Sequence, residues 1–137
     1  MPKDSKLKVV SAVSTRGILY LPEKGVLLIK RSKKSASPGF WEFPGGKVKE
    51  GETPEECLRR ELEEGINISA RVGGEFLGTT FDYPTWTIKL LVYRAEITGG
   101  EMRLNVHNDV RWVSREELHA YDFCPADVEL VERLTAK

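Results

Sequence analysis

Residues 43–67 read FPGGKVKEGETPEECLRRELEEGIN. Two of the carboxylates, Glu61 and Glu64, stand three positions apart, which on a helix places them on one face. Both fall near the C-terminus of the helix this stretch predicts, where the macrodipole disfavours an exposed negative charge by about 0.3–1 kcal/mol. A bound divalent cation reverses that sign. Hard cations such as Mg²⁺ take carboxylate and carbonyl oxygens, often few from the protein, with substrate phosphates completing the shell. Just upstream, Gly45 and Gly46 permit backbone conformations that bring a carbonyl toward the same ion. A second account uses the same residues. Glu55–Arg59, Glu56–Arg60, Arg59–Glu63 and Arg60–Glu64 are opposite charges four apart, a lattice that stabilises an exposed helix with no ligand. Spacing alone leaves both accounts open.

The elements that must position these residues are legible around them. The helix is predicted over 53–64. Thr53 is its N-cap, Pro54 its first residue and Glu56 the return arm of a capping box. Leu58 and Leu62 face the core together, and Gly65 supplies a left-handed stop. Strands are predicted at 7–14 and 25–32, where the apolar run VLLI implies burial on both faces. Residues 33–41 form a polar loop marked by Pro and Gly. Further strands are predicted at 75–81 and 86–97 across the turn DYPT, then a turn at TGGE (98–101) and a short strand at 110–114. SREELHAY opens with a second capping box, Ser114 to Glu117. Pro125 starts a C-terminal helix with Leu130, Val131 and Leu134 on one side. This order of strands and helices argues an α/β domain, a sheet with helices on its faces.

The 137 residues suit a single domain spanning 1–137. Formal net charge is zero, which disfavours a nucleic-acid polymer as partner. Charged residues interrupt every apolar run before membrane-spanning length, and the start MPKDSKLKVVSAVS has no secretory h-region. Cys57 and Cys124 lack metal-type spacing and read as reduced thiols of a cytoplasmic protein.

The segment resembles the Nudix box: Gly, five residues, Glu, seven residues, then Arg-Glu-apolar-x-Glu-Glu-x-Gly-apolar. Gly46, Glu52, Arg60, Glu61 and Glu64 fall at those offsets, and GFWEFPGGKV resembles the family's lead-in. The box ends irregularly. Without a gap, Gly65 stands where the second glutamate of the pair belongs and Asn67 where the glycine belongs. With two residues deleted, Gly65 and Ile66 match the Gly-apolar end. Either way one metal-ligating carboxylate is missing. The resemblance implies the Nudix fold, a mixed sheet sandwiched between helices (α/β/α), and a loop-helix-loop that binds Mg²⁺ or Mn²⁺. It implies Glu61 as central metal ligand, Glu64 as a second, and the Gly45 carbonyl as a third. Glu52 and Arg60 would fix the loop and orient the carboxylates. Asp109 could stand in for a loop glutamate found in many relatives, although a turn former is the simpler reading; His107 reads as a surface histidine.

The implied reaction is attack of metal-polarised water on a polyphosphate phosphorus, with Arg31 and Lys47 adding positive charge near the phosphates. The tail FCPADVELVERL resembles the MutT-like and CTP-pyrophosphohydrolase-like branch, in which Asp127 would accept a hydrogen bond from an exocyclic amine of the base. Phe76, Phe81, Tyr83 and Trp86 are candidates to stack on a base, or simply core. The expectation is hydrolysis of a nucleoside triphosphate to monophosphate and pyrophosphate by a monomer or homodimer. Alternatives are a hydrolase of ADP-ribose or another nucleoside-diphosphate derivative, and a nucleotide-binding module without activity.

Overall fold

The computed structural model describes residues 10–31, 39–104 and 109–136. In β2 (Gly25–Lys30) the apolar run is buried on both sides. Val26 and Leu28 enter one apolar core, Leu27 and Ile29 another, as alternating strand side chains must. β1 (Val10–Leu21) divides in the same way, with Ile18 in the first core and Leu19 in the second. Helix α1 (Pro54–Ile66) closes the second core with Leu58, Leu62 and Ile66. Helix α2 (Val128–Thr135) closes the first with Leu130, Val131 and Leu134. Each fully buried aliphatic side chain stabilises this arrangement by about 1.5–3 kcal/mol. The result is the expected mixed sheet between helices.

The strand order is β3 (Trp41–Glu42), β2, β1, β5 (Thr87–Gly100), β4 (Ile68–Asp82), and β6 (Asp109–Val113) pairs with β2. Among the described strands, β1 pairs with β5 in parallel and the other strand pairs are antiparallel. β1 follows β5 from Val10 to Leu19 but meets β2 only at Tyr20 and Leu21. Its other edge is thereby left open to the glycine turn. Val48 N–H donates to Val13 O at 2.8 Å, Thr15 N–H to Gly46 O at 2.8 Å and Gly17 N–H to Pro44 O at 2.7 Å.

Several boundaries differ from the sequence expectation. The first strand does not stop at Ser14; polar Thr15 and Arg16 are buried in it through tertiary partners, and residues 7–9 lie outside the described set. Thr98–Gly100 is strand, not turn, because β4 extends back to Ile68 and pairs with it. Ser114 makes no side-chain cap. Residues Arg115–Ala120 form a 3₁₀ helix, and the Ser114 hydroxyl donates to the Glu117 carboxylate instead. Pro125 opens a short 3₁₀ turn, Pro125–Asp127, that leads into α2.

The end of α1 is also corrected. Gly65 does not stop the helix; it is helical and buried. The extra turn carries Ile66 into the core, where it is fully buried. Asn67 takes the left-handed conformation (φ 60°) and its N–H donates to Glu63 O at 3.1 Å. Asn tolerates that region through local hydrogen bonding, and its Nδ2 donates to Glu101 O at 2.7 Å. The box therefore runs without a gap, with Gly65 at a helical position where a carboxylate would otherwise stand.

Candidate active site

The start of α1 forms as its residue types dictate. Glu56 N–H donates to the Thr53 hydroxyl at 3.1 Å, and Thr53 N–H donates to Glu56 Oε1 at 2.9 Å. One turn further on, Arg60 is the hub of the site. Its Nε and Nη2 donate to Glu52 at 2.6 and 2.9 Å, its Nη1 to Glu61 at 2.9 Å and to Glu64 at 3.2 Å, and its Nη2 to Lys47 O at 3.1 Å. The Arg60 fork, with a further bond from Lys49 N–H, holds the Glu52 carboxyl down at about 2, from an ordinary 4.5. Those bonds to Glu52, ahead of those to Glu61, raise Arg60 further. The Glu61 and Glu64 oxygens are drawn to the same guanidinium nitrogen, so the two carboxylates converge.

The glycine turn lies under them. A Cβ added at Gly46 would sit 2.3 Å from the Glu61 carboxylate carbon and 2.5 Å from both oxygens. Only glycine lets Glu61 rest there. At Gly45 (φ +151°) an added Cβ would meet Thr15 O at 2.0 Å, so the turn and β1 touch backbone to backbone. The Gly46 carbonyl accepts from Thr15 N–H, from the Thr15 hydroxyl at 3.3 Å and from Cys57 Sγ at 3.3 Å. Among the described residues, no backbone hydrogen bond of this turn uses the Gly45 carbonyl.

Two converging carboxylates fit a hard divalent cation that keeps part of its shell for water and phosphate oxygens. Among the described residues, no three His, Cys, Asp or Glu side chains gather closely enough to hold a metal by themselves. The cradle that only Gly46 leaves for Glu61 sets this carboxylate apart from the other charges of the helix surface.

Other expected residues are placed differently. Lys47 is exposed beside the turn. Arg31 donates to Glu42 at 3.0 Å, so its charge is already engaged within the fold. Asp109 begins β6, accepts from its own neighbour Val110 N–H at 2.8 Å and pairs with Arg111, bonds that serve its own strand and not Glu61 or Glu64. His107 lies outside the described residues. Asp127 does not point from a helix end into an open cleft. It is fully buried; Arg16 Nε lies 3.1 Å from both of its oxygens, and Phe43 N–H donates to Oδ2 at 3.0 Å. Burial pushes the Asp127 carboxyl up, and the Arg16 guanidinium opposes that. Burial likewise works against the Arg16 charge, but Asp127 and Glu42 more than restore it.

Arg16, Glu42, Thr15 and Cys57 were not expected at the site. Arg16 lies two residues past the predicted end of the first strand; once the strand continues through it, burial obliges it to find carboxylate partners. Tyr83 and Trp86 stack at 4.5 Å with planes 10° apart. Burial raises the Tyr83 phenol, with Asp127 among the further causes. A cleft of about 670 Å³ lies elsewhere, between the end of β1, Phe76, Trp112 and Leu134, and is lined by none of these residues.

The fold and the box define a class, and the comparisons agree: the NUDIX domain family profile matches residues 11–134, and the chain belongs to that family. Its relatives include proteins of the MutT-like branch. The chain is 42% identical over 93 residues to the 8-oxo-dGTP diphosphatase of Haemophilus influenzae, covering 68% of each chain. It is 32% identical over 130 residues to the CTP pyrophosphohydrolase of Escherichia coli, covering 95% of this chain and 92% of that one. Among solved structures, a MutT protein from Methanosarcina mazei superposes with a TM-score of 0.80 at 25% identity, covering 90% of this chain and 91% of that one.

Proposed function

We propose that this Nudix chain hydrolyses a nucleoside triphosphate to the monophosphate and pyrophosphate, using Mg²⁺ or Mn²⁺. The observation that carries this is the Glu61 carboxylate seated on Gly46 and shared, with Glu64, by Arg60. Glu61, Glu64 and the Gly45 carbonyl would hold the cation, which when bound neutralises phosphate oxygens and lowers the pKa of water. Glu52 keeps Arg60 in place, and Arg60 in turn fixes both carboxylates; such outer partners typically govern activity by about 10–100-fold. Exposed Lys47 adds positive charge beside the phosphates. The stacked Tyr83–Trp86 pair offers the base a face to lie on, and Trp86 is 38% exposed. Relatives named for 8-oxo-dGTP and CTP support a triphosphate substrate with either a damaged or a normal base.

The helical Gly65 favours a second reading, a nucleotide-binding module with weakened or lost chemistry, because the carboxylate at that turn is absent. Steady-state turnover on normal and oxidised nucleoside triphosphates, ADP-ribose and dinucleoside polyphosphates separates the readings. The proposal requires pyrophosphate and monophosphate as products from at least one triphosphate. Turnover of ADP-ribose alone, or nucleotide binding without turnover, refutes it.

A further inference from the structure

Three consecutive residues of β1 grip the glycine turn from one side. Thr15 N–H holds the Gly46 carbonyl and Gly17 N–H holds the Pro44 carbonyl, at 2.8 and 2.7 Å. Between them the Arg16 side chain reaches away to Asp127, and the Asp127 carboxylate returns to Phe43 N–H at 3.0 Å. Arg16 Nη2 also lies 3.3 Å from Glu42 Oε1, and its Nη1 donates to Thr15 O at 2.9 Å. The C-terminal segment is laid against β3, just ahead of the turn, since Trp41 N–H donates to Asp122 O at 2.8 Å and Cys124 N–H to Trp41 O at 2.9 Å. The turn is thus clamped at residues 43, 44 and 46. Two of the clamps come from β1 backbone, and the third depends on a side chain 84 residues away in sequence.

From this geometry we infer that Asp127, locked by Arg16, is a positioning residue for the turn that carries the Gly45 carbonyl and seats Glu61. The inference rests on the metal assignment proposed above. The Asp127 carboxylate is occupied by Arg16 and Phe43 and is fully buried. Its present partners therefore direct it at the turn and not at a base edge. Releasing Phe43 N–H would free the N-terminal end of the turn and weaken its hold on the Thr15 and Gly17 amides, which moves Gly45 relative to Glu61.

The test uses the full chain and three variants: Asp127→Ala, Asp127→Asn and Arg16→Lys. Mn²⁺ affinity is measured by calorimetry without nucleotide, amide exchange of Thr15 and Gly17 in metal-free protein, and kcat and KM for CTP and UTP well below each melting temperature. The expected result for Asp127→Ala is roughly 10–100-fold weaker Mn²⁺ binding, faster exchange at both amides and an equal loss of kcat for CTP and UTP. Asp127→Asn, which keeps an acceptor for Phe43 N–H, should lose less in each readout. If the alanine variant does not fold, Arg16→Lys must show the same pattern, since it retains the charge but not the Nε–H held by both oxygens. Unchanged Mn²⁺ affinity with an altered CTP/UTP ratio overturns the proposal in favour of base reading. A lower melting temperature with unchanged affinity and kcat overturns it in favour of a purely structural pair. A wild type that binds Mn²⁺ but turns over no nucleotide defeats the functional reading alone, and the Mn²⁺ and exchange results still decide this one.

Discussion

Replacing Gly46 with alanine separates folding from chemistry at one atom. The new Cβ would lie 2.3 Å from the Glu61 carboxylate carbon, and ordinary contact begins at 3.4 Å, so the carboxylate must retreat by about 1.1 Å (3.4 − 2.3). The clashing group is the far end of a flexible side chain, so the backbone has no reason to move. Gly46 also has no positive φ to forbid a side chain, and Gly→Ala at a compatible site stabilises by about 0.4–1 kcal/mol through the unfolded chain. The melting temperature should stay within a few degrees of wild type. The reaction is less forgiving, because a misplacement of about 1 Å at a reacting centre can cost about 10²-fold. The assay is kcat/KM for the best triphosphate at saturating Mg²⁺, beside a thermal melt. Full activity would show that Glu61 is not required where it sits. A collapse of stability matching the activity loss would refute the argument that the side chain, not the fold, yields.

Gly45→Ala should behave oppositely, since its Cβ meets backbone at 2.0 Å and its φ is +151°. A loss of at least about 1–3 kcal/mol should appear in urea melts; an unchanged midpoint contradicts it. Glu52→Gln should lower activity by about 10–100-fold. Because the folded pKa of Glu52 is depressed from 4.5 to about 2, its contribution to stability is fully present above about pH 4.5 and is lost as pH falls through about 2. The difference in melting temperature between wild type and Glu52→Gln should therefore shrink across that window, and a constant difference refutes the assignment. Burial raises both thiols, Cys124 to about 12, so both should react slowly with a disulfide reagent at pH 8 until denaturant is added; rapid native labelling contradicts the structure.

The N-terminal half of α1 was readable because its determinants are local. Thr53, Pro54 and Glu56 act within one turn, and the capping box forms as read. The C-terminal end was misread because packing decided it: the burial of Ile66 outweighs the cost of a helical Gly65, and Asn67 supplies the left-handed cap instead. Arg60 bonding to Glu52 and the carboxylates is what the resemblance to the box implied, whereas the seating of Glu61 on Gly46 was not read from the sequence. The path of Asp127 did not, since nothing local to PADV announces that Arg16, 111 residues away, will enclose it. The polar run Ser14-Thr15-Arg16 likewise looked like the end of a strand; its partners are the glycine turn and the C-terminal segment, which only the tertiary fold brings near.

The central claim is that Glu61 acts on a polyphosphate through a divalent cation. Its most direct test is the Mg²⁺ dependence of triphosphate hydrolysis by wild type and Glu61→Gln, with folding checked by circular dichroism. The account predicts Mg²⁺-dependent release of pyrophosphate by the wild type and a loss of kcat of at least about 10²-fold in a variant that melts within a few degrees of wild type, because a partly exposed carboxylate paired with Arg60 contributes modestly to folding and a metal ligand acts mainly in the transition state. Equal turnover by the two proteins, or a wild-type rate unaffected by chelation, would contradict it.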